Sequence, residues 1–490
     1  MNRPLQHDLD TPAAGFTPAL QAALEDVVGP AGVVRPGADS APYLTSFGDA
    51  FHGRAALVVR PSSTLEVADV VRLCAEARVP MVPQGGNTGL AGGAQPDDSG
   101  RAVVICLDRM RQVRARDPLN DTLIVEAGVT LADVQAEAEA MGRLFPLSLA
   151  AEGSCRIGGN IATNAGGTQV LRYGTTRNLV LGLEVVLPDG RIWNGLRALR
   201  KDCAGYDMKQ MFIGSEGTLG FITAAVLRLF PRPSAVETAM AALPDVPSAL
   251  KLLEIARARL GDSLSAFELI RGFSLDYAVQ ALPGASSPFA QKANWYLLVE
   301  ASGQGDGEAL RSAMEAVLET ALEQEVVEDA VVATSQEQRR RLWALREAQA
   351  EAQKLCGEGV KHDISVPVSA IPDFIARADA ALEAAIPGIR PFAFGHVGDG
   401  NIHYNPIAPE GWPPGVMPTW RDEINRIVHD VVVDLGGSIS AEHGLGQLRV
   451  AEAAHYKPAV ELEMMRALKM ALDPHGLMNP GKVLAASTGG

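Results

Sequence analysis

Two short stretches constrain this chain more than any other feature: Gln84-Gly-Gly-Asn-Thr-Gly89 and Gly158-Gly-Asn-Ile-Ala-Thr-Asn-Ala-Gly-Gly167. Glycine at this density lets the backbone enter φ > 0 and approach a ligand closely. Consecutive N–H groups can then cup an anion such as a diphosphate. Neither stretch reads GxGxxG and neither continues as GK[ST], so the common dinucleotide and P-loop fingerprints fail. A third glycine-rich turn, Gly214-Ser-Glu-Gly217-Thr-Leu-Gly220, follows. Any one of these reads equally well as a tight turn between strands. Three in the first half of one chain point to a long phosphate-bearing cofactor.

The stretches sit in a β/α rhythm. Ala55–Arg60 reads as a strand. Ser63-x-x-Glu66 is a capping box that opens a helix to about Arg78, with Leu65, Ala68, Val71 and Cys74 on one face. Pro80–Pro83 is a second strand running into the first loop. Leu123–Ala127 is another, and Thr130-x-x-Asp133 caps a helix ending near Gly142. Leu179–Leu187 and Arg191–Trp193 flank Pro188-Asp189-Gly190, a hairpin signal. Phe212–Phe230 closes this block, and Pro231-Arg-Pro233 marks a boundary.

Residues 1–52 form an N-terminal arm, helical over roughly Pro18–Val28. Residues 53–232 form the first domain. Residues 233–430 mix helices (Ala249–Leu260, Glu308–Glu323) with strands such as Trp295–Glu300, an α+β pattern. The chain is helical again from about Arg421, and residues 431–490 form a C-terminal segment. Gly303–Gly307 reads as a short loop.

The formal charge is 43 − 58 = −15, so a net basic nucleic-acid footprint is absent. An anionic substrate needs a local basic pocket. Five cysteines with wide spacing and no CxxC predict reduced thiols rather than a disulfide framework. The start, MNRPLQHDLDTPAAGF, lacks the apolar core of a signal peptide, and no run of about 18 apolar residues occurs. The expectation is a cytoplasmic protein without a membrane span.

A second constellation lies late in the chain. In Phe392-Ala-Phe-Gly-His396-Val-Gly-Asp-Gly-Asn-Ile-His403-Tyr-Asn405, Asp399-Gly400 suits a two-residue type I′ turn. That register pairs Gly398 with Asn401, Val397 with Ile402 and His396 with His403. The two imidazoles then stand opposite each other on one face, close enough for a single divalent ion, with Asn405 two residues further along it. Ser440-Ala-Glu442-His443-Gly-Leu-Gly supplies a third ligand, Glu442. Two histidines and a glutamate with an open position make a catalytic rather than a closed structural zinc set. Spacing alone leaves equally open that both histidines are ordinary polar residues of a hairpin.

Five segments in order, RPSSTLEVADVV, VPQGGNTGLAGG, GSCRIGGNIATNAGG, RYGTTRNLVLGLEVVLPDG and MFIGSEGTLG, resemble the FAD-binding domain of the vanillyl-alcohol oxidase superfamily. The resemblance implies an α+β chain: a two-subdomain FAD-binding domain, an α+β substrate (cap) domain and a helical C-terminal segment packing back on the flavin site. It assigns cofactor binding to Gln84, Gly85, Gly86, Asn87, Thr88, Gly89, Ser154, Gly159, Asn160, Thr163, Gly167 and Asn479. Members with covalent flavin often carry histidine in the first loop; GGNTG has none, so the FAD is expected to be non-covalent.

GHVGDGNIHYN, SAEHGLG and LDPHGLMNPGK are similar to the D-2-hydroxy acid branch, which includes D-lactate, glycolate and D-2-hydroxyglutarate dehydrogenases. The branch implies His396, His403 and Glu442 as ligands of zinc or a similar metal. Leu199–Ser215 and Leu345-Arg346-Glu347 with Lys361 are similar to the D-2-hydroxyglutarate dehydrogenases. That likeness implies that Arg346 and Lys361 bind substrate carboxylates. Asn405 would orient substrate, and His443 would bind it and act as general base while a hydride passes from Cα to FAD. One position departs: Ala350 stands where a hydroxyl residue is expected. D-Lactate, D-malate and glycolate therefore stay open as substrates. Alkyl-dihydroxyacetone-phosphate synthases, which carry out no net oxidation on a similar flavin fold, and a non-catalytic flavin- and metal-binding protein are the remaining alternatives. Without a nicotinamide fingerprint, the expected electron acceptor is an electron-transfer flavoprotein or a quinone. The expected assembly is a homodimer, the commonest one.

Overall fold

The computed structural model describes residues 15–485, so the first part of the predicted arm and the last five residues of the C-terminal segment lie outside it. β1 (Val33–Val34), β2 (Ala55–Val59), β3 (Met81–Gln84) and β4 (Ala102–Cys106) form a sheet ordered β1-β2-β4-β3. β2, β4 and β3 run parallel. β4 is buried along its whole length, as a parallel strand covered on both faces must be. Leu57, Val59, Val103 and Ile105 face the helices Pro18–Val28 and Thr64–Glu76, while Val58, Val82 and Val104 face Tyr43 and Leu44.

Helix Thr64–Glu76 has the predicted cap, Ser63 Oγ accepting from the Glu66 N–H at 3.2 Å. Two details differ. The Glu66 carboxylate reaches Ser62, N–H and hydroxyl, at 2.7 Å each, rather than Ser63. Leu65 is 68% exposed, and the buried face is Thr64, Val67, Val70, Val71 and Cys74. The helix is rotated so that its β-branched residues meet the sheet.

β5 (Val113–Asp117), β6 (Thr122–Glu126), β7 (Arg143–Leu144), β8 (Val180–Val186), β9 (Ile192–Gly195), β10 (Phe221–Arg228) and β11 (Phe230–Pro231) follow. Five of them make an antiparallel sheet, β5-β6-β10-β8-β9, and β7 pairs with β11. The predicted Pro188-Asp189-Gly190 turn joins β8 to β9, pairing Val186 with Ile192. Sequence patterning did not predict β4 or β5. β5, VRARD, is almost wholly exposed and so carries no apolar alternation.

The second half is built on a seven-stranded antiparallel sheet. Its strands are β12 (Ala235–Leu243), β13 (Leu264–Arg271), β14 (Trp295–Gly303), β15 (Asp329–Val332), β16 (Asp363–Ser365), β17 (Arg390–Gly395) and β18 (Asn401–Ile407). Their order is β15-β12-β14-β13-β17-β18-β16. Alternation divides its side chains between two cores. Phe267, Leu269, Leu297, Val299, Ile364, Ile402 and Tyr404 pack under the helices Val246–Leu260, Gly307–Glu323, Ile371–Ala385 and Arg421–Asp434. Ile270, Tyr296, Leu298, Phe392 and Phe394 face the helices Gly272–Ala281, Gln336–Glu347 and Gln349–Cys356. The polar residues described below interrupt this second face.

The His396–His403 hairpin differs from its predicted register. Phe394, not His396, opposes His403, and the β17–β18 connection is 396–400 rather than two residues. His396 O accepts the N–H groups of both Asp399 (3.1 Å) and Gly400 (3.2 Å), closing one tight turn. The Gly398 N–H donates to Phe267 O, fastening that turn to β13. The offset is two residues. Because strand side chains repeat every two residues, both histidines stay on the predicted face.

Candidate active site

The two glycine-rich loops pack against each other and both line one cavity. The first loop contributes Gln84–Gly89, with Gly93. The second contributes Gly158–Asn160, Ala162 and Thr163, with Arg156 before it, and Glu216 and Gly217 of the third glycine-rich turn complete the lining named here. Gly86 and Gly158 fit only as glycine. A Cβ on Gly86 would lie 2.1 Å from Ser154 O, and one on Gly158 would lie 2.7 Å from Ala127 Cβ. Gln84 Nε2 donates to Tyr43 O (2.8 Å) and Ala94 O (3.0 Å), and Asn87 Nδ2 to Pro42 O (2.9 Å) and Thr45 O (2.8 Å). These two side chains thus anchor the first loop to the N-terminal arm. The close backbone approach and the glycine cradle suit a long cofactor carrying a diphosphate.

His443 also lines this cavity. One residue away, Glu442 meets the two histidines. Its Oε1 is 3.7 Å from His396 Nε2 and its Oε2 is 3.8 Å from His403 Nε2. The three ligand atoms all lie within 4.8 Å of one another. Ligands of a tetrahedral zinc ion stand about 3.4 Å apart, so a small contraction would close the set on a metal. A Cβ on Gly166 would lie 3.1 Å from Glu442 Oε1, so the second glycine-rich loop also reaches the trio.

The surrounding carboxylates set its electrostatics. Glu268, wholly buried on β13, accepts from Arg346 Nε through Oε2 (2.7 Å), while its Oε1 lies 2.7 Å from His396 Nδ1. Burial alone would raise the pKa of Glu268. His396 and Arg346 outweigh burial and lower it to about 2. Burial likewise opposes charge on His396, but Glu268 and Glu442 raise its pKa to about 9. Burial lowers His403 to about 3 and raises Glu442. Neutral His403 is the form that can bind a metal.

Asp363 does comparable work on the other side. Its Oδ2 is 3.5 Å from His443 Nδ1, and its Oδ1 accepts from Asn401 Nδ2 at 2.9 Å. Burial is again outweighed, here by His443, His403 and two backbone N–H groups, so Asp363 stays ionised. A carboxylate at Nδ1 favours the tautomer that leaves Nε2 of His443 free to accept a proton.

Arg346 Nη2 lies 3.4 Å from His396 Nε2, with the guanidinium over the Phe394 ring, at the edge of the trio. Lys361 sits two residues before Asp363, and the ladder continues through Tyr404 N–H to His362 O. Lys361 therefore shares the Asp363 side of the sheet. Partial burial, with Lys354 nearby, lowers its pKa. Asn405 is committed within the protein: Oδ1 accepts the His362 N–H (2.9 Å) and Nδ2 donates to Gln353 Oε1 (2.9 Å). Ala350 is exposed in the helix that follows the break at Ala348.

Ser154, Gly167 and Asn479 are not among the residues that line the cavity, and Ser154 is exposed. Asn479, 1% exposed and at φ +44°, donates to Gly93 O (2.9 Å) and Glu216 O (2.8 Å), clipping together two segments that line the cavity. Sequence reasoning missed Glu268, Asp363 and Glu216. The available signal was a lone carboxylate in an apolar strand or among glycines, since buried acids are rare unless paired.

The chain matches the family models for the FAD binding domain over residues 55–195 and for FAD linked oxidases, C-terminal domain, over residues 232–483. It is 38% identical to the mitochondrial D-2-hydroxyglutarate dehydrogenase of Bos taurus, across 94% of this chain and 83% of that protein. It is 39% identical to the D-2-hydroxyglutarate dehydrogenase of Xanthomonas citri, across 87% of this chain and 88% of that one. A putative D-lactate dehydrogenase of Schizosaccharomyces pombe is 36% identical, across 88% and 82%. In fold it is similar to p-cresol methylhydroxylase (TM-score 0.76, 16% identity, 98% of this chain and 99% of that one). It is also similar to alkyldihydroxyacetonephosphate synthase (TM-score 0.72, 18% identity, 97% and 86%). No helix among the described residues is long and apolar enough to cross a membrane. With both domains matched and more than a third of its residues shared along most of its length, the chain belongs to the FAD linked oxidases, in their D-2-hydroxyglutarate dehydrogenase family.

Proposed function

We propose that this protein oxidises a D-2-hydroxy acid, D-2-hydroxyglutarate foremost, to the 2-oxo acid. The cofactor is non-covalent FAD, and a divalent ion, zinc by its donor set, is held by His396, His403 and Glu442. The observation that carries this reading is His443: it lines the cofactor cavity while its neighbour Glu442 belongs to the His396–His403 trio. Bound FAD supplies the hydride acceptor, and the bound ion supplies a Lewis acid that acidifies the substrate hydroxyl.

The chain's own residues do the rest. His443 takes the hydroxyl proton at Nε2, with Asp363 supporting the charge that develops on the ring. Arg346 binds a carboxylate while Glu268 holds its Nε. Lys361 offers a second positive charge, which favours a dicarboxylate over lactate. Electrons then leave to an external acceptor, an electron-transfer flavoprotein or a quinone.

The test is anaerobic bleaching of the flavin by D-2-hydroxyglutarate, D-lactate, D-malate, glycolate and their L-forms. Fastest bleaching by D-2-hydroxyglutarate supports the reading. Fastest bleaching by D-lactate makes Ala350 the mark of a monocarboxylate enzyme, and bleaching by none of them removes the oxidative assignment. Elemental analysis of the purified protein decides the metal.

A further inference from the structure

The loop Glu442–Gly446 presents four backbone N–H groups in two pairs. Those of Glu442 and His443 both donate to Asp363 Oδ2, at 2.8 Å each. Those of Leu445 and Gly446 donate to Glu216 Oε1 and Oε2, also at 2.8 Å each. Asp363 belongs to the seven-stranded sheet. Glu216 precedes β10 in the other domain and forms part of the cofactor cavity. One loop is thus gripped by two carboxylates, one from each half of the protein, and His443 sits at the Asp363 grip, two residues before the Glu216 one.

Glu216 is built in at some cost. It adopts φ +52° between Gly214 at +80° and Gly217 at +71°. A non-glycine residue holds such a conformation only where its surroundings impose it. Here they do: its N–H donates to Ala162 O at 2.8 Å, and its carbonyl accepts from Asn479 Nδ2 at 2.8 Å. Space for the carboxylate is also reserved. A Cβ on Gly444 would lie 2.7 Å from Oε1, and one on Gly93 would lie 3.3 Å from Oε2.

We propose that Glu216 is a positioning residue: by docking the His443 loop on the wall of the cofactor cavity, it sets the separation between the flavin and a substrate held at the metal trio. The inference rests on the dehydrogenase reading above. It assigns Glu216 no contact with substrate. The residue acts through the loop, on the distance that hydride transfer must cross.

The test uses the FAD- and metal-loaded protein. Glu216→Gly removes the carboxylate at a backbone position that glycine adopts freely, so the fold is not strained. Glu216→Gln keeps the size and one of the two acceptors. The readouts are FAD and metal per chain, the rate of anaerobic flavin reduction, and the isotope effect with C2-deuterated substrate. Glu216→Gly is expected to retain both cofactors yet reduce its flavin about 100-fold more slowly, the scale of a misplacement of about 1 Å. Its isotope effect should exceed that of the unsubstituted protein, and Glu216→Gln should fall between the two.

An unchanged rate and isotope effect in Glu216→Gly overturns the proposal. So does loss of FAD from both variants, which would make Glu216 a cofactor-retaining residue. If no 2-hydroxy acid bleaches the unsubstituted protein, the dehydrogenase reading fails and this inference fails with it. Bleaching there with an unaffected Glu216→Gly overturns this inference alone.

Discussion

Glu268 Oε1 lies 2.7 Å from His396 Nδ1, and the opposite oxygen of the same carboxylate holds Arg346. One fully buried side chain on β13 therefore orients both a candidate metal ligand and the candidate substrate arginine. Any change in Glu268 reaches both functions at once. Glu268→Gln keeps the shape but withdraws the charge, and metal affinity should fall about 10- to 100-fold, as for other carboxylates behind a ligating histidine. The check is competition against a chromogenic chelator. Affinity equal to that of the unsubstituted protein would show that His396 needs no such partner.

Glu442 and His443 adjoin but separate cleanly by substitution. Glu442→Ala should lose its metal, read by elemental analysis. His443→Ala should keep FAD and metal while flavin bleaching by substrate falls by about 100-fold or more, the usual worth of a general base. Fast bleaching in His443→Ala would hand the proton to another group.

Gly86→Ala should cost the protein its FAD. The added methyl would meet Ser154 O at 2.1 Å and Cys155 Cα at 2.9 Å, both backbone atoms that cannot step aside. Gly153→Ala, with nothing within 4 Å of its Cβ, is the control and should retain the cofactor. Flavin absorbance per chain after gel filtration compares the two.

Stability should drop on mild acidification. Burial lowers His362 to about 3 and His429 to about 2; Arg449 adds to both shifts, Arg421 to that of His362, and His362 to that of His429. Glu452, 3.6 Å from His429 Nδ1, does not reverse it. Both folded pKa values lie below the unfolded value of about 6.5. The unfolded chain therefore takes up protons that the folded chain refuses, and stability is lost as pH falls from about 6.5 toward about 3. The limiting slope is about 1.4 kcal/mol per pH unit for each histidine. Urea midpoints at pH 6.5, 5.5 and 5 measure it, and His429→Gln should reduce it by about a third, since His403 is lowered to about 3 as well.

Thiol titration of the native protein should find one fast group. Cys203 is exposed, whereas Cys74, Cys106, Cys155 and Cys356 are buried. Burial pushes the Cys74 and Cys106 thiols up to about 12, far from the reactive thiolate. Cys203→Ser should remove the fast phase; a fast phase that survives it would expose a second accessible thiol.

The parts of the site that announce themselves in the sequence are those made of consecutive residues. GGNTG and GGNIATNAGG need their glycines side by side, and Glu442-His443 owes its role to adjacency. Glu268, Asp363 and Glu216 are different. Each is a single acid whose partners lie 38 to 230 residues away in the chain, so only strand pairing and loop docking reveal what it does. Asn405 shows the converse. Its place on the predicted face is consistent with a substrate contact, but its amide is spent on Gln353 and His362. Leu65 was misplaced because a helical stripe one residue away matches nearly as well until the sheet beneath selects the face.

The hairpin offset carries a consequence for how this region can vary. A shift of two residues between β17 and β18 leaves His396 and His403 facing the same side; a shift of one would turn His403 into the apolar core with Ile402 and Tyr404. Insertions and deletions that propagate into this pairing are thus filtered by parity. An even change keeps both histidines on one face but slides His403 about 7 Å along it, whereas a single inserted residue would turn His403 into the core and dismantle the trio without touching any of its members.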